Sequence, residues 1–183
     1  NSRYYDIANI MLSEWCQYGS LRSFINSSID KFQKDSLWWK ILFFQILYTL
    51  STIHFYYPGF KHNDLHLKNF LVAKIEKLGG YFLYRIRFDG HKRYTNFKIP
   101  NIGFQIRMWD FDWSSIKNQF YNLKLREYSD ISNRFNDMFN IFYRIYCNYN
   151  NDSFTKKKVI NNFFNLILHN FPNFKYLKEN NLF

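Results

Sequence analysis

Residues 62–69 read HNDLHLKN, and the apolar residues FLV follow at 70–72. Asp64 and Asn69 stand five positions apart in this stretch, directly before a run that predicts a strand over residues 70–75. A carboxylate and an amide oxygen on one loop can orient an attacking hydroxyl and hold Mg²⁺ against phosphates, which are two requirements of phosphoryl transfer. The stretch therefore offers one candidate carboxylate and one candidate metal ligand on a single loop.

A second acidic motif, DFD, stands at residues 110–112. It follows residues 104–109, whose alternation of apolar and polar side chains predicts a strand. Between the two motifs, residues 81–88 and 94–99 predict a β-hairpin, because Asp89-Gly90 separates two alternating segments. Both acidic motifs are thus expected beside strands.

Helices are predicted over most of the remaining chain, at residues 21–32, 36–56, 130–146 and 154–170, with a short strand at 7–12. Asp35 or Ser36 can cap the helix at 36–56, and Pro58-Gly59 stops it. The positions with helical spacing, which predict its inward face, are Trp39, Leu42, Phe43, Ile46, Leu47, Leu50 and Ile53. The element order predicts one α+β domain, mainly helical with a small β-hairpin layer.

Composition bears on the partners and the cellular location of the protein. The net charge of +11 is compatible with an acidic partner or nucleic acid at a basic surface, to which the hairpin would contribute Arg85, Arg87, Lys92 and Arg93, although a solvated basic surface is the stronger alternative. Cys16 and Cys147 form no CxxC pair, which argues against a zinc site or disulfide framework and is typical of a reducing, cytoplasmic location. No signal peptide is visible, and the apolar run at 41–53 is too short to cross a bilayer, which needs about 20 residues.

The motifs resemble those of the protein-kinase-like superfamily. HNDLHLKN is similar to the catalytic-loop pattern H-R-D-L-x-x-x-N, and DFD stands where kinases carry D-F-G. Upstream, MLSEWC at 11–16 with GSL at 19–21 resembles a kinase hinge and the start of the next helix. The long hairpin and PNIGF at 100–104 look most like the serine/threonine protein kinase-like proteins of large nucleocytoplasmic DNA viruses.

This resemblance implies a partial kinase domain over residues 1–183. Residues 1–16 would be the last N-lobe strand and the hinge, and residues 17–183 the C-lobe. No Gly-rich loop, ATP-positioning Lys or partner Glu helix precedes the hinge, so the N-lobe would be largely absent and the isolated chain inactive. A viral relative would work in the host cytoplasm or the virion.

The resemblance also implies catalytic roles, in ATP- and Mg²⁺-dependent transfer to protein Ser or Thr hydroxyls. Asp64 would be the catalytic base. Asn69 and Asp110 would bind Mg²⁺, with Asp112 adding a carboxylate near the metal. His66 stands where kinases carry a lysine and could still donate to a phosphate.

Adenine recognition is implied for three further residues. Backbone groups of Glu14 and Cys16 would contact the adenine, and Leu71 would pack beneath it. Asp137, on an apolar helix, could anchor the catalytic-loop backbone, although Asp130 competes for that role and a solvated side chain is an equal alternative.

Departures from the kinase pattern leave alternatives open. Asn63 replaces the Arg that normally pairs with an activation-loop phosphate, so a phosphorylation switch after Asp112 is not expected. His66 and Asp112 are also compatible with small-molecule kinases of the aminoglycoside or choline kinase type, although 14 acidic residues against 25 Lys and Arg disfavour a cationic substrate. A binding module without catalysis is the third possibility.

Overall fold

A computed structural model describes residues 12–87, 94–123, 136–149 and 165. The described helices are α1 (Leu21–Ser27), α2 (Ile29–Lys34), α3 (Ser36–Tyr56) and α4 (Asn136–Tyr149). The described strands are β1 (Phe60–Lys61), β2 (Phe70–Lys74), β3 (Tyr81–Arg87), β4 (Tyr94–Pro100), β5 (Phe104–Met108) and β6 (Ser115–Ile116). The predicted α+β composition is confirmed, whereas the strand at 7–12 except Leu12, the helix at 154–170 except Asn165, and the start of the helix at 130–146 fall outside the described residues.

Helix α3 forms the centre of the core and has the bounds that the sequence predicts. The side chain of Asp35 accepts a hydrogen bond from the Leu37 N–H at 2.8 Å, and the helix ends before Pro58. Its buried residues are Trp39, Ile41, Leu42, Phe43, Gln45, Ile46 and Leu50. The prediction that Leu47 faces inward is wrong, because its side chain is 37% exposed. None of the described helices combines the length and apolarity that crossing a bilayer requires.

The single helix expected at 21–32 is two helices, α1 and α2, broken at Ser28. The Ser28 N–H donates to both Phe24 and Ile25 carbonyls, and its backbone leaves the helical region with φ −112° and ψ 19°. Serine competes well for such cap positions. The break lets the rings of Phe24 and Phe32 approach to 6.1 Å, although eight residues of straight helix span about 12 Å.

The strands form three separate antiparallel pairs rather than one layer. Strand β2 pairs with β5, β3 with β4 as the predicted hairpin, and β1 with β6. The hairpin packs on α3, where the Phe44 ring lies 5.0 Å from Tyr84 and 5.7 Å from Phe97. The β2–β5 pair, and not the hairpin, adjoins both motifs. Strand β2 follows the loop at 62–69, and β5 precedes the motif at 110–112.

Candidate functional site

The loop at 62–69 is fixed at its start by Asp137 of α4. The two carboxylate oxygens of Asp137 accept hydrogen bonds from the His62 N–H at 2.6 Å and the Asn63 N–H at 3.1 Å. Burial raises the pKa of Asp137, while these two N–H donors act in the opposite direction. Asp137 therefore anchors the loop backbone, which is one of the alternatives that the sequence left open. The competing residue, Asp130, lies outside the described residues.

The His62 ring connects this loop to the second acidic motif. The side chain is completely buried, and its Nε2 lies 2.9 Å from the Trp109 carbonyl oxygen. Because a carbonyl can only accept, Nε2 must carry the proton. The ring also lies 5.4 Å from the Phe111 ring. His62 therefore contacts the residue before Asp110 and the residue after it.

Asn69 links Asp64 to Trp109, the residue that precedes Asp110. Its Nδ2 donates to the Asp64 carbonyl oxygen at 2.8 Å and lies 3.4 Å from the Asp64 carboxylate. Its own carbonyl accepts the Trp109 N–H at 2.9 Å, directly before Asp110. The loop end and the start of the acidic motif thus continue the β2–β5 pair, which aligns Phe70 with Met108.

The oxygen atoms at this place suit a hard divalent cation. The Asn69 side-chain N–H group faces Asp64, so its Oδ1 is left as an acceptor. The Asp110 carboxylate is exposed, and the side chain makes no hydrogen bond or ion pair with the described residues. Mg²⁺ commonly takes one or two carboxylates together with phosphate oxygens and water. No cluster of three or more His, Cys, Asp or Glu side chains that could hold a metal occurs in the described ranges.

Asn63 fixes the segment that follows Asp112. It adopts φ +65°, a left-handed conformation that Asn tolerates better than most residues. Its Nδ2 donates to the Trp113 carbonyl at 2.8 Å and to the Ser115 hydroxyl at 3.1 Å. The residue that replaces the kinase Arg therefore holds this segment by neutral hydrogen bonds.

Asp112 lies beyond the junction of Asn69 and Trp109. The residue is exposed, and its backbone carbonyl accepts a hydrogen bond from the buried Asn122 side chain at 2.7 Å. Asn122 also donates to the Ser114 carbonyl at 3.2 Å. These two bonds fix the backbone at Asp112, and its predicted role at the metal stays a prediction.

His66 lies against Asp64. Its Nδ1 accepts the Lys68 N–H at 3.2 Å, which leaves the proton on Nε2. That Nε2 is 3.6 Å from the Asp64 carboxylate. The His66 ring is therefore close enough to interact electrostatically with the Asp64 carboxylate, whereas a contact with phosphate stays a prediction.

The predicted adenine-binding residues lie along strand β2 and the segment at 14–19 that bonds to it. The Tyr18 N–H donates to the Val72 carbonyl at 3.0 Å, which joins residues 16–19 to β2, and Cys16 is buried. Leu71 is half-buried and pairs in register with Arg107. The Arg107 guanidinium binds the Glu14 carboxylate at 2.7 Å. The structure thus brings Glu14 and Leu71 to the same strand pair through Arg107.

Gln45 is a site-supporting residue that the sequence did not reveal. This buried side chain on α3 accepts the Ile106 N–H at 2.9 Å and donates to the Phe104 carbonyl at 3.3 Å. It therefore fixes strand β5, which leads to Asp110. The available signal was one amide side chain within the apolar run at 41–53.

Two proteins of Acanthamoeba polyphaga mimivirus, each named "Putative serine/threonine-protein kinase", are similar to this chain. One is 36% identical over 130 residues, which are 67% of this chain and 27% of that protein. The other is 29% identical over 115 residues, which are 57% of this chain and 28% of that protein. The chain thus spans just over a quarter of the length of these curated relatives. No model of a protein family matches the chain, and no solved structure matches it. The similarity supports a relationship to viral kinase-like proteins.

Proposed function

We propose that this chain is the C-lobe part of a protein kinase-like enzyme that transfers the γ-phosphoryl group of ATP to Ser or Thr hydroxyls of a protein. The observation that carries the proposal is the junction at Asn69. Its amide binds Asp64, and its carbonyl binds the residue before Asp110. These bonds connect a candidate base, Asp64, with two candidate metal ligands, Asn69 and Asp110.

Each residue has a distinct proposed task. Asp64 orients the acceptor hydroxyl and takes its proton. Asn69 and Asp110 hold Mg²⁺, which when bound neutralises charge on the phosphates. His62 and Asp137 do not touch the substrate and act as positioning residues for the loop.

The nucleotide is proposed to lie over strand β2. Leu71 would pack beneath the adenine, and the backbone of Glu14 and Cys16 would contact its edge. Residues 1–16 would form the last N-lobe strand and the hinge, and the described helices would belong to the C-lobe. The kinase names of the two mimivirus relatives support the kinase-like relationship on which this assignment depends.

Asp64→Asn tests the function in the full-length protein with ATP, Mg²⁺ and Ser- or Thr-containing peptides. The phosphotransfer rate should fall roughly 10²-fold or more, because the amide cannot accept the hydroxyl proton. Asp30→Asn on α2 makes the same chemical change at an exposed position and should leave the rate unchanged. Equal rates for Asp64→Asn and the wild type would refute the role of Asp64, and phosphorylation of amino alcohols instead of peptides would support the small-molecule alternative.

A further inference from the structure

A cavity of about 260 Å³ opens beside the loop at 62–69. Its lining residues are Arg22, His66, Leu67, Lys68, Arg144 and Asn148. Three of these carry a positive charge, and none is a carboxylate. The electrostatic potential in this cavity, at one edge of the candidate site, is therefore positive.

The three cations are available to a ligand. Arg22, Lys68 and Arg144 are all exposed, and none forms an ion pair with a described residue. Several like charges around one concavity repel each other until an anion enters. Arginine can also bind a carboxylate or phosphate through two parallel hydrogen bonds.

The positions of these cations are set by the core. Arg22 follows the buried Leu21 on α1, Lys68 follows the buried Leu67, and Arg144 precedes the buried Ile145 on α4. The Arg22 N–H also donates to the Leu67 carbonyl at 3.2 Å. The cavity walls are thus held in place before any ligand binds.

We infer that this cavity binds an anionic side chain, a carboxylate or a phosphorylated residue, on the segment of the substrate protein that carries the acceptor hydroxyl. This inference rests on the proposed function, because His66 lines the cavity and its Nε2 lies 3.6 Å from Asp64. A peptide that places its hydroxyl at Asp64 would therefore pass the cavity within a few residues. The enzyme would select acidic substrate segments.

The test measures peptide binding by fluorescence anisotropy, without ATP, on the full-length protein. Peptides carry one Ser with a single Asp, phosphoserine, Ala or Lys at each neighbouring position in turn. At one position the Asp or phosphoserine peptide should bind at least about tenfold more tightly than the Ala peptide, as expected for a hydrogen bond to a charged group. The Arg22→Gln/Arg144→Gln variant should abolish this preference, and melting curves check that it folds.

Lys98→Gln is the matched control, because it removes an exposed charge on β4 outside the cavity. An equal loss in this variant would overturn the inference, since the attraction would then come from the overall charge. Equal binding of the Asp and Ala peptides would also overturn it, as would displacement of the peptide by a nucleic acid that binds the cavity more tightly. Acidic peptides that bind at the cavity but are never phosphorylated would uphold the cavity and contradict the proposed function.

Discussion

Asp137 illustrates how one buried carboxylate can fix the backbone of a loop, here the loop at 62–69. It is 3% exposed and accepts the N–H groups of two consecutive residues, His62 and Asn63. Without it, both N–H groups would lose their hydrogen-bond partner at the edge of the core. A buried polar group without a partner costs about 1–3 kcal/mol, so this contact has a measurable effect on stability.

Asp137→Ala should lower the free energy of unfolding by roughly 2–4 kcal/mol, because both N–H groups lose their acceptor. Asp137→Asn should cost less, since its one carbonyl oxygen can still accept one of the two bonds. Denaturant unfolding of the full-length protein measures both losses. Equal stability of the Ala variant and the wild type would show that the anchor is unimportant.

The raised pKa of Asp137 predicts that the stability of the fold depends on pH. Burial raises its folded pKa above the unfolded value, so the group's contribution to stability is full below the unfolded pKa and declines as pH rises through the folded pKa. The wild type should therefore gain stability relative to Asp137→Asn as the pH is lowered from 7 through the raised pKa toward the ordinary one. Unfolding curves of both proteins across this range measure the difference, and a change in the opposite direction would contradict the burial effect.

The sequence could predict the residues of the site better than their supports. Asp64, Asn69 and Asp110 stand in recognisable motifs, whereas for Asp137 the kinase resemblance offered the anchoring role only as one of several alternatives. Gln45 could not be assigned, because its partners Phe104 and Ile106 lie about 60 positions away along the chain. Spacing within one helix contains no information on such pairings.

At the scale of elements, strand β5 depends on helix α3. Gln45 bonds to the backbone of Phe104 and Ile106 in the core, and both residues are themselves buried. The same strand pairs with β2 and ends at Met108, two residues before Asp110. The position of Asp110 is thus coupled to the helix at the centre of the fold.

Gln45→Leu should lower the free energy of unfolding by roughly 2–4 kcal/mol, because one donor and one acceptor on β5 become unpaired in the core. It should also weaken phosphotransfer through the displacement of β5. Leu47→Ala is the matched control on the same helix, and its loss should be smaller because that side chain is partly exposed. Thermal melts and transfer assays on the full-length protein measure both effects; a Gln45→Leu variant as stable as the wild type would contradict the coupling.

The segment after Asp112 is held without a phosphate. Ser115 bonds to Asn63, and the Ser114 hydroxyl is buried with no hydrogen-bond partner among the described residues. Phosphatase treatment and Ser114→Ala should therefore leave the phosphotransfer rate unchanged, whereas Asn63→Ala should lower it by releasing the Trp113 carbonyl. Kinase assays before and after treatment measure this, and a large loss after both treatment and Ser114→Ala would demonstrate a phosphate switch.

Element boundaries could be predicted where local signals were strong. Asp35 and Pro58 delimit α3 by capping and by stopping the helix, which are local effects. The break at Ser28 was not predictable from spacing, because it serves the packing of Phe24 against Phe32. The packing of the hairpin against Phe44 of α3 was likewise not predictable from local patterns, because it joins residues far apart along the chain.

At the scale of the molecule, helices α3 and α4 and the β2–β5 pair each fix a different part of the candidate site. Helix α4 provides Asp137, α3 provides Gln45, and the strand pair joins Asn69 to Trp109. Each contact connects parts of the chain that are far apart in sequence. The candidate site therefore depends on several elements of the described fold, and the metal-binding role that we propose for it can be tested by ligand binding alone.

The most direct measurement is the affinity of the full-length protein for ATP with and without Mg²⁺, by titration calorimetry, in the wild type and in Asp110→Asn. The wild type should bind ATP at least about tenfold more tightly with Mg²⁺ if Asn69 and Asp110 supply oxygen ligands to the ion, as we propose. Asp110→Asn should lose this gain, whereas Glu76→Gln, an exposed control, should keep it. The same magnesium-dependent gain in Asp110→Asn as in the wild type would contradict the assignment of the site.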